Sequence, residues 1–311
     1  MLRSLVGALA CSACMLCPAP WAQAAGVVIV SGEQSAGAVQ VRDTLLAELE
    51  RSGSARSDVS LVSAADGVAM DSAAAEKPRL VISLGGAALK QVLVREFRSP
   101  VVAALIPRAG FERIVGEVAR KTAVVSALYL DQPFGRQLEL LRLALPGTKR
   151  IGVLWGPESA ALQRGLTAAM QTQGLDPVYG YVGADGLLFS GLQTALDDAD
   201  VLLAVADPLV FNSTTISNIL LATYRARIPV LAFSPAYVKA GALLSLHTTP
   251  AQIGLQAAAM ARVVLQGTAP MASQYPQDYV VSVNEYVARS LGVTLDGSNL
   301  TDRLRRMESR P

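Results

Sequence analysis

The chain has 311 residues, 51% of them hydrophobic but only 5% aromatic, and a formal net charge of +2. That length suits two ordinary domains, and a core of Ala, Val, Leu and Ile is the usage of α/β proteins with buried parallel strands. So small a charge supplies no field for nucleic acid, and the cysteines, Cys11, Cys14 and Cys17, all crowd near the start, which leaves no thiol chemistry for the rest.

Residues 1–24 read as a secretion signal. Arg3 gives a positive start, 5–16 is apolar but too short to span a bilayer, and Ala22-Gln23-Ala24 fits the small-x-small cleavage rule. Ala8-Leu9-Ala10 before Cys11 fits poorly with the Leu-small-small triplet of a lipoprotein. Export to the periplasm is the expectation. No second apolar run reaches spanning length, so the mature chain is expected not to cross a membrane.

Residues 26–30 form a first buried strand, followed by a polar loop carrying Gln34 and Ser35. Val39, Leu45, Leu46 and Leu49 mark a helix running through 50. Further strands are expected at 57–62, 80–83, 100–106 and 124–130. The turn Leu84-Gly85-Gly86 opens a helix over 87–97, and Pro107 closes the fourth strand. Strands alternating with helices of this length imply a parallel sheet with helices on both faces.

The pattern then restarts. Helices are expected at 133–145, 159–173, 187–196 and 213–226, and strands at 151–155, 177–182 and 201–206. An apolar run at 229–233 leads to Ser234-Pro235, a helix start with Ser as cap and Pro at the first position, and Gly241 stops that helix after barely a turn. A second run follows at 242–246. So short a helix suggests a chain moving between packing units, not a crossover within one sheet. A long helix over 250–265 is surplus to the second set, and the simplest account returns it to the first. A strand at 279–283, a helix at 284–291 and a short extension at 292–295 complete the fold. The Arg-rich end from 302 reads as solvated and frayed.

Enzyme chemistry has little to work with. His247 is the one histidine, and it reads as lining or bracing the link between the two sets. There is no G-x-S-x-G elbow, Walker motif or G-x-G-x-x-G, so no catalytic residue, cofactor or metal is expected. A binding cleft is the better reading, because ligands of open α/β sheets sit beyond the carboxyl ends of the strands. Candidates there are Gln34 and Ser35, then Gly85 and Gly86, whose bare amides approach a ligand or simply make a turn. Arg108 faces an anion or solvates a loop, and Asp131 follows the fifth strand. Trp155 stacks on a ligand or plugs a core, and Asp207 is placed to receive an ammonium group. Ser234 and Tyr237 come from the short helix.

Gln137-Leu-Glu-Leu-Leu141, Pro146-Gly-Thr-Lys-Arg-Ile-Gly-Val-Leu154, Lys239-Ala-Gly-Ala-Leu-Leu-Ser245, Gln256-Ala-Ala-Ala-Met-Ala261 and the stretch 281–293 occur in an order and spacing that resemble the ABC-transporter substrate-binding family. The resemblance covers about residues 131–295. It implies a type I periplasmic-binding-protein fold, α/β, with two Rossmann-like lobes of parallel sheet joined by a multi-strand hinge. The lobes would comprise 25–128 plus 248–279 and 129–247 plus 280–300, with 301–311 as a tail. The hinge would lie at 128–131, 245–247 and 278–281. The resemblance also implies a small-molecule ligand, with an amino-acid-like one among the options, and a partner ABC permease with its ATPase. The departures are local. Ser83-Leu84-Gly85-Gly86 replaces a Gly-Thr-Pro-Ala-type turn, Ile106-Pro107-Arg108 an Asp-Pro, and Trp155-Gly156-Pro157-Glu158 an Asn-Pro loop. Ser234-Pro235 stands where an acidic residue is usual. They argue against importing a known ligand, and they leave room for a sensory or accessory protein working with a membrane receptor or histidine kinase.

Overall fold

The computed structural model describes residues 26–32, 34–118, 123–183, 187–267 and 272–309. The signal expected over 1–24, with its cysteines and Trp21, lies outside them. The first set of elements is β1 (Val27–Ser31), α1 (Ala36–Arg51), β2 (Val59–Ser63), α2 (Gly67–Ala75), β3 (Leu80–Leu84), α3 (Gly86–Val94), β4 (Val101–Ile106), α4 (Arg108–Glu117) and β5 (Val125–Tyr129). The strands form one parallel sheet in the order β2-β1-β3-β4-β5. Both faces are covered, which is why these strands read as continuous apolar runs. Met70, Leu89 and Ile114 pack on one face, and Val41, Leu45 and Leu49 on the other.

The second set is α5 (Phe134–Ala144), β6 (Arg150–Trp155), α6 (Gln163–Thr172), β7 (Asp176–Tyr181), α7 (Leu188–Leu196), β8 (Val201–Leu203), α8 (Ile216–Ala226), β9 (Val230–Ala232), α9 (Pro235–Ala240) and β10 (Leu244–His247). Then come α10 (Pro250–Leu265), β11 (Val280–Val283), α11 (Glu285–Ser290) and α12 (Gly297–Glu308). The second sheet runs β11-β10-β9-β8-β6-β7, parallel except for β11, which lies antiparallel against β10. Without β11 its order repeats that of the first sheet.

Three expectations are corrected. First, β9 and β10 are parallel neighbours in one sheet, Leu244 opposite Leu231. The six-residue α9 suffices for that crossover because β9 has only three residues. A helix of that length spans ~9 Å and such a strand ~10 Å, so the chain regains the strand start in one short step. Second, α2 and α4 occupy stretches where no helix was expected. Third, the end is not frayed from 302. It is α12, which buries Leu300, Thr301 and Leu304 against the second sheet. Thr301 Oγ1 accepts the N–H of Val281, an edge-strand donor, at 3.0 Å. The close seating requires glycine at the helix start, because a Cβ on Gly297 would stand 2.4 Å from the Val281 carbonyl oxygen.

The long helix α10 packs on α1 and on β3, β4 and β5, far in sequence from all of them. Gly254 makes that approach possible. A Cβ there would lie 2.9 Å from the Val41 carbonyl oxygen and 2.7 Å from Thr44 Cβ. The chain therefore passes between the sheets three times: after β5, between β10 and α10, and between Gln274 and β11. Gln274 is still bonded to the first sheet, its N–H to Ala127 O at 2.8 Å and its carbonyl to Tyr129 N at 3.0 Å. Thr248 ties the three passages together. It accepts from Gln132 Nε2 at 2.8 Å and donates to Asp278 O at 3.0 Å.

Candidate functional site

A cavity of about 530 Å³ opens between the two sheets beside these passages. The ends of the first sheet's strands supply Leu105, Pro107, Leu130 and Asp131. The second supplies Ala206, Phe233, Ser234 and Pro235. The passage from β10 into α10 supplies His247, Thr248, Thr249, Pro250 and Ile253. The wall is mostly apolar. Its polar groups are one carboxylate, one imidazole and three hydroxyls.

Local structure explains how each polar group is held. Asp131 Oδ2 accepts the N–H of Arg108, the first residue of α4. Burial pushes the Asp131 carboxyl above the usual carboxylate range, and the Arg108 N–H only partly opposes that. His247 Nδ1 sits 3.2 Å from Ser245 Oγ, and burial lowers its pKa, which favours the neutral ring. Ser234 Oγ caps α9 by accepting from Ala236 N. Thr249 opens α10 with a reciprocal capping box to Gln252, and Pro250 takes the first helical position. Leu105 has a φ of +58°, where the β4 register shifts against β5. Leucine adopts that conformation only at a cost, and such outliers gather at functional sites.

Of the residues singled out in the sequence as ligand contacts, Asp131 and Ser234 line the cavity and the others do not, while His247, read as lining or bracing the link, lines it too. Gln34 and Ser35 follow β1, exposed, with Ser35 capping α1. Their helix packs against Pro250 of the wall, where a Cβ on Gly37 would meet it at 3.8 Å. Gly85, at φ +91°, starts α3, and neither it nor Gly86 contributes to the wall. Arg108 sends its guanidinium to Glu112 at 2.7 Å and to the Tyr275 hydroxyl at 2.9 Å, so the anion expected opposite it is a side chain of its own helix. These partners raise its pKa further. Tyr237 stands behind the wall. Its ring packs edge-on against Phe233, centroids 5.0 Å apart, and its hydroxyl donates to Phe211 O.

Trp155 and Asp207 serve the fold. Trp155 is fully buried in the core beneath β6, edge-on to Tyr179. Of the two roles weighed for it, the core is the one it occupies. Asp207, where an incoming ammonium group was expected, is itself buried, and its carboxylate accepts the N–H groups of Glu158, Ser159 and Leu209. It fixes the loop after β6, from which Glu158 reaches Arg113 on α4 at 3.0 Å. That ion pair links an element of the first set to a loop of the second.

Sequence reasoning missed Leu105, His247's neighbours Thr248 and Thr249, and Pro250 and Ile253. For Thr248, Thr249, Pro250 and Ile253 the available signal was positional, since they follow β10 or open α10, whereas Leu105 lies within β4. Among the described residues no helix is long and apolar enough to cross a membrane, and no cluster of His, Cys, Asp or Glu could hold a metal ion.

A family model for "ABC transporter substrate binding protein" matches residues 56–302. No curated protein matches the chain. Among solved structures, a conserved domain protein from Vibrio cholerae is similar at 22% identity and a TM-score of 0.63, covering 89% of this chain and 98% of that one. An ABC domain in complex with L-Trp from Streptococcus pneumonia is 16% identical with a TM-score of 0.62 over the same shares, 89% and 98%. The ligand-free, open structure of a substrate-binding protein with adhesive properties from Clostridium difficile is 19% identical, with a TM-score of 0.66 over 87% and 95%. At these identities the likeness shows the fold, that of type I periplasmic binding proteins.

Proposed function

The chain belongs to the ABC transporter substrate-binding protein family, and from that premise we propose that it captures a small molecule between two lobes and delivers it to a membrane permease. The lobes in this reading are 25–128 plus 248–279 and 129–247 plus 280–300. The protein is a carrier, not an enzyme, and it works in the periplasm after loss of the signal in 1–24. One observation carries the reading: a cavity of about 530 Å³ whose walls come from both sheets and from the passage that joins them. A volume of that order is ordinary for small-molecule sites. Asp131, Ser234 and His247 are the groups we assign to ligand contact, with Leu105 and Phe233 as its apolar walls.

Native mass spectrometry of the secreted protein as purified, compared with the same protein after unfolding and refolding, tests this. A discrete mass lost on refolding identifies a captured ligand. Identical masses, together with no binding by the refolded protein in a broad metabolite screen, would contradict capture. Delivery is tested separately by the neighbouring genes. A permease and an ATPase support it, whereas a histidine kinase or outer-membrane receptor in their place would point to sensing.

A further inference from the structure

We infer that the ligand is an apolar molecule bearing a single cationic amine and no carboxylate. This rests on the binding role proposed above and names its substrate class. Among the described residues that line the cavity, Asp131 is the one charged side chain, and neither lysine nor arginine accompanies it. The nearest guanidinium, Arg108, is turned to Glu112 and Tyr275. A carboxylate entering this space would meet a like charge and no cation, whereas an ammonium would meet its counter-ion.

The backbone donors at the helix starts beside the wall are largely taken as well. The N-terminus of a long helix is the usual alternative anion site, and α10 begins in the wall. Most of its capacity is spent, with the N–H of Ala251 the one donor of its first turn left over. Pro250 has no N–H, Gln252 N donates to Thr249 Oγ1, and Thr249 N donates to Gln252 Oε1. The first N–H of α4 goes to Asp131 itself. The rest of the wall suits the body of such a ligand. Leu105 is held against the cavity in a costly backbone conformation, and Leu130, Ile253 and Phe233 add apolar surface. Phe233 also brings an aromatic ring, which attracts cations through its face.

A structural role for Asp131, capping α4, predicts the opposite consequence of mutation. A carboxyl whose folded pKa lies above its unfolded one loses stability as pH rises through the folded value. Ionising Asp131 therefore costs the empty protein stability as pH rises, and Asp131→Asn, which keeps an oxygen for the Arg108 N–H, removes that cost.

The test is calorimetric titration of the secreted protein after refolding, with two matched sets of probes. Phenethylamine, 3-phenylpropionate and L-phenylalanine form one set, and hexylamine, heptanoate and L-norleucine the other. We expect an amine to bind at least about tenfold more tightly than the acid and the amino acid of its set, the value of one charge-assisted contact. Asp131→Asn should weaken the amine by roughly tenfold to a hundredfold and melt no earlier than wild type. An amino acid binding as tightly as its amine, an amine that ignores Asp131→Asn, or no amine bound in either set overturns the inference. Binding of acids or amino acids alone would leave the carrier role standing. No probe bound and no ligand in the purified protein would remove both.

Discussion

The buried carboxylate of Asp207 gathers three N–H groups and thereby sets the loop that carries Glu158 to Arg113. Asp207→Ala would strand those donors away from water. The expected cost is roughly 3 kcal/mol, the order of one hydrogen bond to a charged acceptor plus the desolvation left behind, read from urea unfolding. A change below ~0.5 kcal/mol, typical of a surface site, would mean that the loop is held by other means. His247 offers a pH test. Its folded pKa lies below the ordinary 6.5 because the ring is buried. Its contribution is therefore fully present above that value and is lost as pH falls below it, since the unfolded chain takes up the proton first. Melting curves of wild type and His247→Gln between about pH 5 and 8 should diverge on the acid side, with wild type losing more. Parallel curves would show that the ring titrates freely. Asp131 and Ser234 were legible as cavity-lining candidates because both sit at strand ends, where ligands of such sheets collect. Asp207 and Trp155 also sit at strand ends, and nothing in their sequence context says that one turns to a loop and the other into the core. Leu105 gave no sign, because its conformation depends on a register shift between β4 and β5 that appears only once the two strands pair.

At the level of elements, α12 is the sharpest test. The sequence from 302 is dominated by charge, and the buried apolar positions of α12 are Leu300 and Leu304, one turn apart, while Met307 is exposed. Both are buried, and Arg136 and the Tyr279 hydroxyl reach Glu308 at the far end. Leu304→Ala should cost about 2–5 kcal/mol, as large-to-small changes in a packed core do. A melting temperature equal to that of wild type would return this segment to the solvated tail that its charge suggests. The strands were legible because each is a short apolar run buried on both faces. The pairing of β9 with β10 was not, because the length of helix needed for a crossover depends on how few residues the strand has. The helices α2 and α4 escaped notice for a related reason: each is short, and α4 follows directly on the Pro107 that closes β4.

The molecule as a whole places its cavity where three chain passages meet, and Thr248 bonds to both of the other two. In the proposed reading, rotation about so compact a junction would swing one lobe against the other with little change inside either, as in hinge closure around a ligand. The order and spacing of the family's segments made the fold and the family readable from the sequence. The chemistry of the wall was not readable, because it combines the ends of β4 and β5, the turn after β9 and the start of α10, which only folding brings together. The central claim is that the lobes close on a captured small molecule. Small-angle X-ray scattering of the refolded protein, without ligand and saturated with the molecule recovered from the purified protein, tests it most directly. The account predicts a smaller radius of gyration in the saturated sample, and an unchanged radius at proven saturation would contradict closure.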